Sequence, residues 1–281
     1  SEKTIGYVDT PLLSVPTLQQ RVRAAKFEVF DLEYFKTITQ QQRQDYVLVV
    51  QDPFTSFYDA EVVEDLMLLA SKLGKKPVLL PFKPNGKPQH VKGFLKQFAK
   101  TAKSTADFLN ELANLDIAMI GIDASLALCY RDEYKQTLGS ARGSFEVLLP
   151  HEWLTQQFND KKINLPSVIE KAKLNFKLFA HCTEKTMLPN SESQWQVIFE
   201  RFGVKLDKIA VGCCGMAGTY GHENANQDNS KGLYELIWKS KVEQLAPEQV
   251  LATCFSCRSQ SKRLSKFKPR HPVQALLSLV D

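Results

Sequence analysis

The stretch Phe176-Lys177-Leu178-Phe179-Ala180-His181-Cys182 begins as a short apolar run and ends on a cysteine. Five further runs of this kind lie at 46–50, 77–80, 117–120, 208–211 and 249–252. The longer segments between them place apolar residues at three- and four-residue intervals, as helices that cover a sheet do. Short apolar strands that alternate with such helices are typical of parallel α/β proteins. The sequence therefore predicts an α/β fold.

The chain also repeats several landmarks at an offset near 130 residues. The matched pairs are Asp52 with Cys182, Gly74 with Gly203, Gly86 with Gly215, and Asp123 with Cys254. A near-constant offset over separated landmarks indicates a duplication. We therefore predict two pseudo-repeated halves, each a small parallel-sheet α/β unit, with one spanning 1–145 and the other 146–281.

Composition excludes several classes of protein. The 281 residues are 43% hydrophobic with a formal net charge of +5, and no apolar run approaches the roughly 20 residues that a membrane span needs. The basic residues do not match a nucleic-acid-binding motif. The basic run at 258–270 is interpreted as a solvated face, or as a docking surface for an acidic domain.

The opening residues resemble an internal segment, because neither an initiator Met nor a secretory signal is present. We therefore expect the chain to be part of a longer polypeptide in a reducing, cytoplasmic compartment, where thiols bind metal more often than they form disulfides. Association with the inner face of the membrane is the alternative that we retain.

Five of the six cysteines lie in the second half, as Cys182, the pair Cys213-Cys214 before Gly215, and Cys254 with Cys257. The three groups are about one βαβ crossover apart, so all of them can lie at the carboxyl ends of parallel strands. A Cys-x-x-Cys that opens a helix favours thiolates, and small residues next to the pair let the backbone approach a bulky centre closely. The pattern predicts a metal or cluster site.

The residues alone leave the kind of site open. Five thiols exceed the four ligands of tetrahedral zinc, which favours an iron–sulfur cluster, whereas a zinc site could use four ligands including His181. His181 and His222 are candidates for hydrogen bonding to the ligands, or are exposed loop residues. Thiol–disulfide catalysis through Cys254 and Cys257 is a third interpretation. Cys129, on a helical pattern, is predicted to be a core residue.

The pattern Cys182, Cys213-Cys214-Gly215, Cys254-x-x-Cys257 resembles the cysteine-rich CCG domain. That domain occurs in heterodisulfide reductase, in the iron–sulfur subunits of glycolate oxidase and anaerobic glycerol-3-phosphate dehydrogenase, and at the carboxyl end of long FAD-linked oxidases, commonly as a tandem pair. The resemblance implies that the five cysteines bind a four-iron four-sulfur cluster beside Gly215.

The first half departs from the family pattern. Its matching positions carry Asp52, Pro84-Asn85, Asp123 and Leu126, which provide no thiolate. We therefore expect a degenerate first half and a single cluster in the second half.

The opening of the chain and the stretch 123–134 resemble the carboxyl part of bacterial fused dehydrogenases, which oxidise D-2-hydroxy acids such as D-lactate or D-2-hydroxyglutarate. The resemblance implies that FAD and ferredoxin-like domains lie elsewhere in the parent protein, because their motifs are missing from these residues. The segment alone is then an electron-transfer module and not a complete enzyme, and it relays electrons to a quinone or a carrier. The alternative is a zinc-binding or metal-free interaction module.

Overall fold

The structure is a computed structural model, and it describes residues 6–161, 163, 165 and 175–280. The chain divides into two compact units. The amino-terminal unit is Ser14–Pro166, and the carboxy-terminal unit combines Ser1–Leu13 with Ser167–Asp281. The boundary expected from the sequence, between 145 and 146, lies inside the first of these units. The limits of the two repeats stay a prediction.

The amino-terminal unit is built on a parallel three-stranded sheet. Its strands are β1 (Tyr46–Val49), β2 (Lys76–Leu79) and β3 (Met119–Ile120), in the order β2-β1-β3. All four residues of the central strand β1 are buried, because helices cover both of its faces. The unit's helices are α1 (Leu18–Ala24), α2 (Leu32–Thr37), α3 (Gln40–Arg43), α4 (Pro53–Tyr58), α5 (Ala60–Lys72), α6 (Lys87–Val91), α7 (Leu95–Ala113), α8 (Ala124–Arg131), α9 (Glu133–Leu138) and α10 (Pro150–Asn159).

The carboxy-terminal unit has a second parallel sheet of three strands. These are β4 (Asn175–Phe179), β5 (Lys205–Lys208) and β6 (Val250–Ala252), in the order β5-β4-β6. Each sheet therefore has the first strand of its unit at the centre. The helices of the unit are α11 (Cys182–Met187), α12 (Ser191–Arg201), α13 (Gln227–Leu233), α14 (Lys239–Glu243), α15 (Phe255–Ser265) and α16 (Pro272–Leu277). The predicted α/β class, with two small parallel sheets, is confirmed.

One strand differs from its predicted position. The apolar run 208–211 is expected to form a strand, whereas β5 occupies Lys205–Lys208. The strand lies at the edge of its sheet and pairs only with β4, so polar residues are tolerated there and the apolar run follows the strand instead of forming it.

Cys129 is fully buried within α8, so its prediction as a core residue is confirmed. In the part of the chain that the structure describes, no helix combines the length and apolar character needed to cross a membrane.

Candidate functional site

The five clustered cysteines all follow strands of the carboxy-terminal sheet. Cys182 is the first residue of α11, directly after β4. Cys254 is the N-cap of α15 after β6, and Cys257 lies in the first turn of that helix. The pair Cys213-Cys214 lies in the loop that follows β5. Because the carboxyl ends of parallel strands meet at one edge of the sheet, three distant segments bring their thiols to the same edge.

At that edge the thiols form a continuous hydrogen-bonded chain. The thiol of Cys182 contacts that of Cys213, and Cys213 contacts Cys214. Cys214 contacts Cys257, which in turn contacts Cys254. The structure therefore brings together all five predicted cysteines, and none of them is separated from the others.

The site runs from the surface into the core. Cys213 is exposed and Cys182 is partly buried, whereas Cys214, Cys254 and Cys257 are buried. A group held by all five thiols would therefore have one edge at the protein surface and the opposite edge in the core.

The loop after Cys214 has a backbone shape that requires glycine. Gly215 has a φ of +82°, and a Cβ at this position would lie 2.2 Å from the backbone oxygen of Ser230. The Gly215 N–H donates a hydrogen bond to the Sγ of Cys213 at 3.3 Å. Farther along the loop, the Gly218 N–H donates to the Oγ of Ser256 at 3.2 Å, which ties the loop to α15. These contacts fix the paired cysteines against the helix that carries Cys257.

The thiols differ in their tendency to ionise. Hydrogen bonds from the thiols of Cys213 and Cys257 hold the pKa of Cys214 well below its usual value. The hydrogen bond with Cys213 raises the pKa of Cys182 to about 11. Cys214 is thus the favoured thiolate of the group, and metal ligation requires thiolates.

The donor set fits a sulfur-ligated metal group, because thiolates are the ligands of iron–sulfur clusters and of structural zinc. Within the described residues, no three His, Cys, Asp or Glu side chains stand in metal-binding geometry. The thiols instead hydrogen-bond to one another, which requires protons that ligation would remove. The chemistry of the five donors fits the predicted group, and their arrangement is that of protonated thiols.

The two histidines singled out from the sequence have different surroundings. His181 is buried, its backbone N–H donates to the Oγ1 of Thr253 at 3.0 Å, and its side chain hydrogen-bonds to the thiol of Cys182. His222 is also buried, and its Nδ1 lies 3.1 Å from the backbone oxygen of Val8. The interpretation of both as exposed loop residues is therefore wrong. His181 contacts a cysteine, whereas the contacts of His222 are with the start of the chain.

A buried polar group behind the cysteines was not identified from the sequence. Glu184 is almost fully buried, and its Oε2 accepts a hydrogen bond from the Oγ1 of Thr253 at 2.6 Å. Burial raises the pKa of Glu184 to about 7. The available signal was its position two residues after Cys182, at the start of a helix that also follows a strand. Glu184 and Thr253 connect the segments that carry Cys182 and Cys254.

The basic run at 258–270 is not simply a solvated face. Arg258, next to Cys257, is 1% exposed, and Arg263 donates to the backbone oxygen of Gly221 at 2.6 Å. Arg263 also lies 3.1 Å from a carboxylate oxygen of Asp9. The expectation of a fully solvated face is therefore wrong for these two arginines, because they pack within the carboxy-terminal unit.

In the amino-terminal unit, the matching strand ends carry helix caps. The Asp52 Oδ1 accepts hydrogen bonds from the N–H groups of Phe54 and Thr55, both at 2.8 Å, at the start of α4. The Oδ1 of Asp123 accepts from the Ser125 N–H at 3.0 Å at the start of α8. Burial, and then the charge of Asp123, raise the pKa of Asp52 to about 7.

The two matched loops are also joined within the amino-terminal unit. Asn85 is buried, and its side-chain amide donates to the backbone oxygen of Leu126 at 3.0 Å. These positions match Cys214 and Cys257, whose thiols are in contact in the other unit. The side chains at the amino-terminal sheet edge thus serve to hold the fold together.

The fold and the site define a two-unit α/β protein with a five-cysteine centre at one strand-end edge. No protein-family model matches the chain. The chain is 55% identical over 280 residues to a D-2-hydroxyglutarate dehydrogenase of Pantoea ananatis (strain AJ13355) and 54% identical to one of Escherichia coli (strain K12). In both comparisons 100% of this chain is covered, and 27% of the relative. The chain thus spans about a quarter of the length of these relatives.

A more distant relative carries a different name. It belongs to the anaerobic glycerol-3-phosphate dehydrogenase of Escherichia coli (strain K12), and it is 22% identical over 254 residues, which cover 86% of this chain and 62% of the relative. Among solved structures, an aspartate racemase homologue from Pyrococcus horikoshii OT3 aligns over 84% of this chain and 96% of its own, with a TM-score of 0.27 and 10% identity. No statement about the fold rests on that alignment.

Proposed function

We propose that the chain is the iron–sulfur electron-transfer module of an FAD-linked dehydrogenase that oxidises a D-2-hydroxy acid. The observation that carries the proposal is the unbroken contact of five thiols at one sheet edge. The names of the relatives support D-2-hydroxyglutarate as the substrate of the parent protein. The cysteine pattern supports membership in the CCG domain family.

In this proposal Cys182, Cys213, Cys214, Cys254 and Cys257 hold a four-iron four-sulfur cluster, which supplies one-electron transfer when bound. Gly215 lets the backbone approach, and its N–H donates to the sulfur of Cys213. His181 orients the thiol of Cys182. His222 fixes the first residues of the chain against the loop that follows the paired cysteines.

Substrate oxidation is assigned to the flavin of the parent protein, so the segment alone is not catalytic. The electrons come from FAD and ferredoxin-like domains and leave to a quinone or a carrier protein. We propose a cytoplasmic location with contact at the inner face of the membrane. We also infer that the two units arose by duplication, which their equal strand orders and the φ of +82° at both Gly86 and Gly215 support.

The test is iron and acid-labile sulfide analysis of the 281-residue chain after anaerobic purification and reconstitution. We expect about four irons and four sulfides per chain. Cys214→Ala should lose most of both, because it removes the thiol that contacts two others. Cys129→Ala is the matched control, since it removes a buried thiol of the other unit and should leave the metal content unchanged.

The alternative functions give different results. Stoichiometric zinc without sulfide would overturn electron transfer in favour of a structural or interaction module. Disulfide exchange that survives Cys214→Ala would favour catalysis by Cys254 and Cys257 alone. Sequencing the gene upstream of Ser1 tests the parent activity separately, because an FAD-binding domain must be encoded there.

A further inference from the structure

One region of the amino-terminal unit has a marked excess of positive charge. Between residues 66 and 106 the sequence contains nine lysines and no aspartate or glutamate. Two of these lysines have acidic partners, since Lys87 pairs with Glu133 and Lys103 with Asp107. Lys96 and Lys100 are exposed or half-exposed on α7, and neither makes an ion pair with any residue that the structure describes. Positive charge is therefore available at the surface around the start of α7.

At the same place the chain forms an apolar corner. Residues 91–97 are seven consecutive exposed positions between α6 and α7, which we call the corner segment. Its large apolar side chains are 67% exposed at Val91, 57% at Phe94 and 58% at Leu95. Gly93 has a φ of +78°, and this left-handed turn joins the two helices closely.

The corner segment rests on a packed base. The Phe94 N–H donates to the backbone oxygen of Gln89 at 2.8 Å, which closes the turn. Beneath it, the ring of His90 lies 4.9 Å from that of the fully buried Phe98. The apolar side chains are thus held outward by a fixed backbone, and their exposure does not come from a loose loop.

We propose that the corner segment is a docking surface for an anionic lipid membrane. Apolar side chains at a protruding corner can enter the boundary between lipid head groups and acyl chains, and lysines around them attract anionic lipids. The three side chains expose only on the order of a few hundred Å² of apolar surface, less than the roughly 800 Å² per partner of a stable protein interface. The uniform charge favours an anionic surface over a neutral one.

The inference deepens only the membrane contact in the proposed function. Its test needs no metal, so a negative result would leave the iron–sulfur proposal standing. The 281-residue chain is sedimented with phosphatidylcholine vesicles and with vesicles that contain about a third phosphatidylglycerol. We expect binding to the anionic vesicles, weakened at high salt because the lysine contribution is screened.

Two pairs of variants separate the apolar and charged contributions. The double variant Phe94→Ser, Leu95→Ser should lower the partition coefficient by at least about tenfold, whereas Leu236→Ser, at a side chain 74% exposed in the other unit, should not change it. The double variant Lys96→Gln, Lys100→Gln should lower it roughly 25-fold, at about fivefold for each lysine. The control is Lys135→Gln with Lys231→Gln, at exposed lysines outside the region.

All these positions lie at the surface, so the variants should keep the stability of the parent chain within about 0.5 kcal/mol. Absence of vesicle binding, or binding that the corner variants leave unchanged, would overturn the proposal. The first of these outcomes would indicate that another protein segment covers the corner.

Discussion

The strand-end edges of the two units use their helix starts differently. In the amino-terminal unit, Asp52 and Asp123 cap α4 and α8 with carboxylate oxygens. In the carboxy-terminal unit, α11 and α15 begin without any side-chain cap, and a cysteine lies at or beside each N-cap. Free N–H groups at a helix start favour thiolates and anionic groups. One edge thus stabilises its own helices, whereas the other keeps its helix starts available to the thiols.

The loops opposite those helices show the same contrast. An amide of Asn85 holds the matched loop to the start of α8 in one unit, and a thiol contact of Cys214 with Cys257 does so in the other. The amide bond is permanent, whereas the thiol contact must open to admit a metal group. The comparison indicates that the carboxy-terminal unit sacrifices stability at this edge for binding.

The largest expected effect comes from the two matched glycines. Gly215→Ala should lower the free energy of unfolding by about 3 kcal/mol or more, because the new Cβ adds a clash with a backbone oxygen to the left-handed strain. Gly86→Ala has the same φ, but its Cβ would meet the side chain of Phe98 at 2.9 Å, which can move. We expect a loss of about 1–2 kcal/mol there. Urea unfolding measures both, and equal losses would contradict the proposed difference between the loops.

The next effect is the pH dependence that Asp52 contributes. Its folded pKa of about 7 lies above the usual value near 4, so the folded state holds this proton more tightly than the unfolded state. The contribution is therefore fully present below about pH 4 and is lost as pH rises towards 7, by on the order of 1 kcal/mol per pH unit. Asp52→Asn, which keeps a capping side chain, should remove this slope.

Unfolding of both proteins across that pH range provides the measurement. Relative to the parent chain, Asp52→Asn should gain stability as pH rises from about 4 to about 7. A difference that stays constant over the range would show that the carboxyl group titrates normally in the folded protein.

The smallest effect tests the uncapped helix starts. Cys254→Ser places a good capping hydroxyl at the N-cap of α15, where the cysteine makes no side-chain cap hydrogen bond. In the metal-free chain we expect a gain of about 0.5–1 kcal/mol in unfolding free energy. Cys182→Ser is the matched control, because that residue is already inside α11 and not at its N-cap. A loss of stability with Cys254→Ser would argue against a role for the free helix start.

Several features of the site could be predicted because their signals are local. Cys182 and Cys254 follow apolar strands closely, so the convergence of their segments follows from parallel topology alone. The cap role of Asp52 also has a local signal, since an aspartate before Pro53 is a common helix start. Comparison of the two halves identified Asp52 only as a position that lacks a thiolate, because a repeat alignment compares ligands and not caps.

Other features depend on tertiary contacts that no local pattern encodes. The burial of Arg258 and Glu184 depends on segments far away in the chain, and charged residues are ordinarily expected at the surface. The predicted position of β5 was wrong because an edge strand does not need a continuous apolar run. The pairing of His222 with Val8 joins residues more than 200 positions apart.

That last contact determines how the carboxy-terminal unit can be isolated. The Val8 N–H donates to the backbone oxygen of His222 at 2.7 Å, the Asn224 N–H donates to that of Gly6 at 2.9 Å, and Tyr7 bridges to Glu223. A fragment obtained by one cut between 145 and 146 would lack this added segment and leave those backbone groups unpaired. Fusing residues 6–13 to the carboxyl end through a flexible linker, as in a circular permutation, would keep the unit complete.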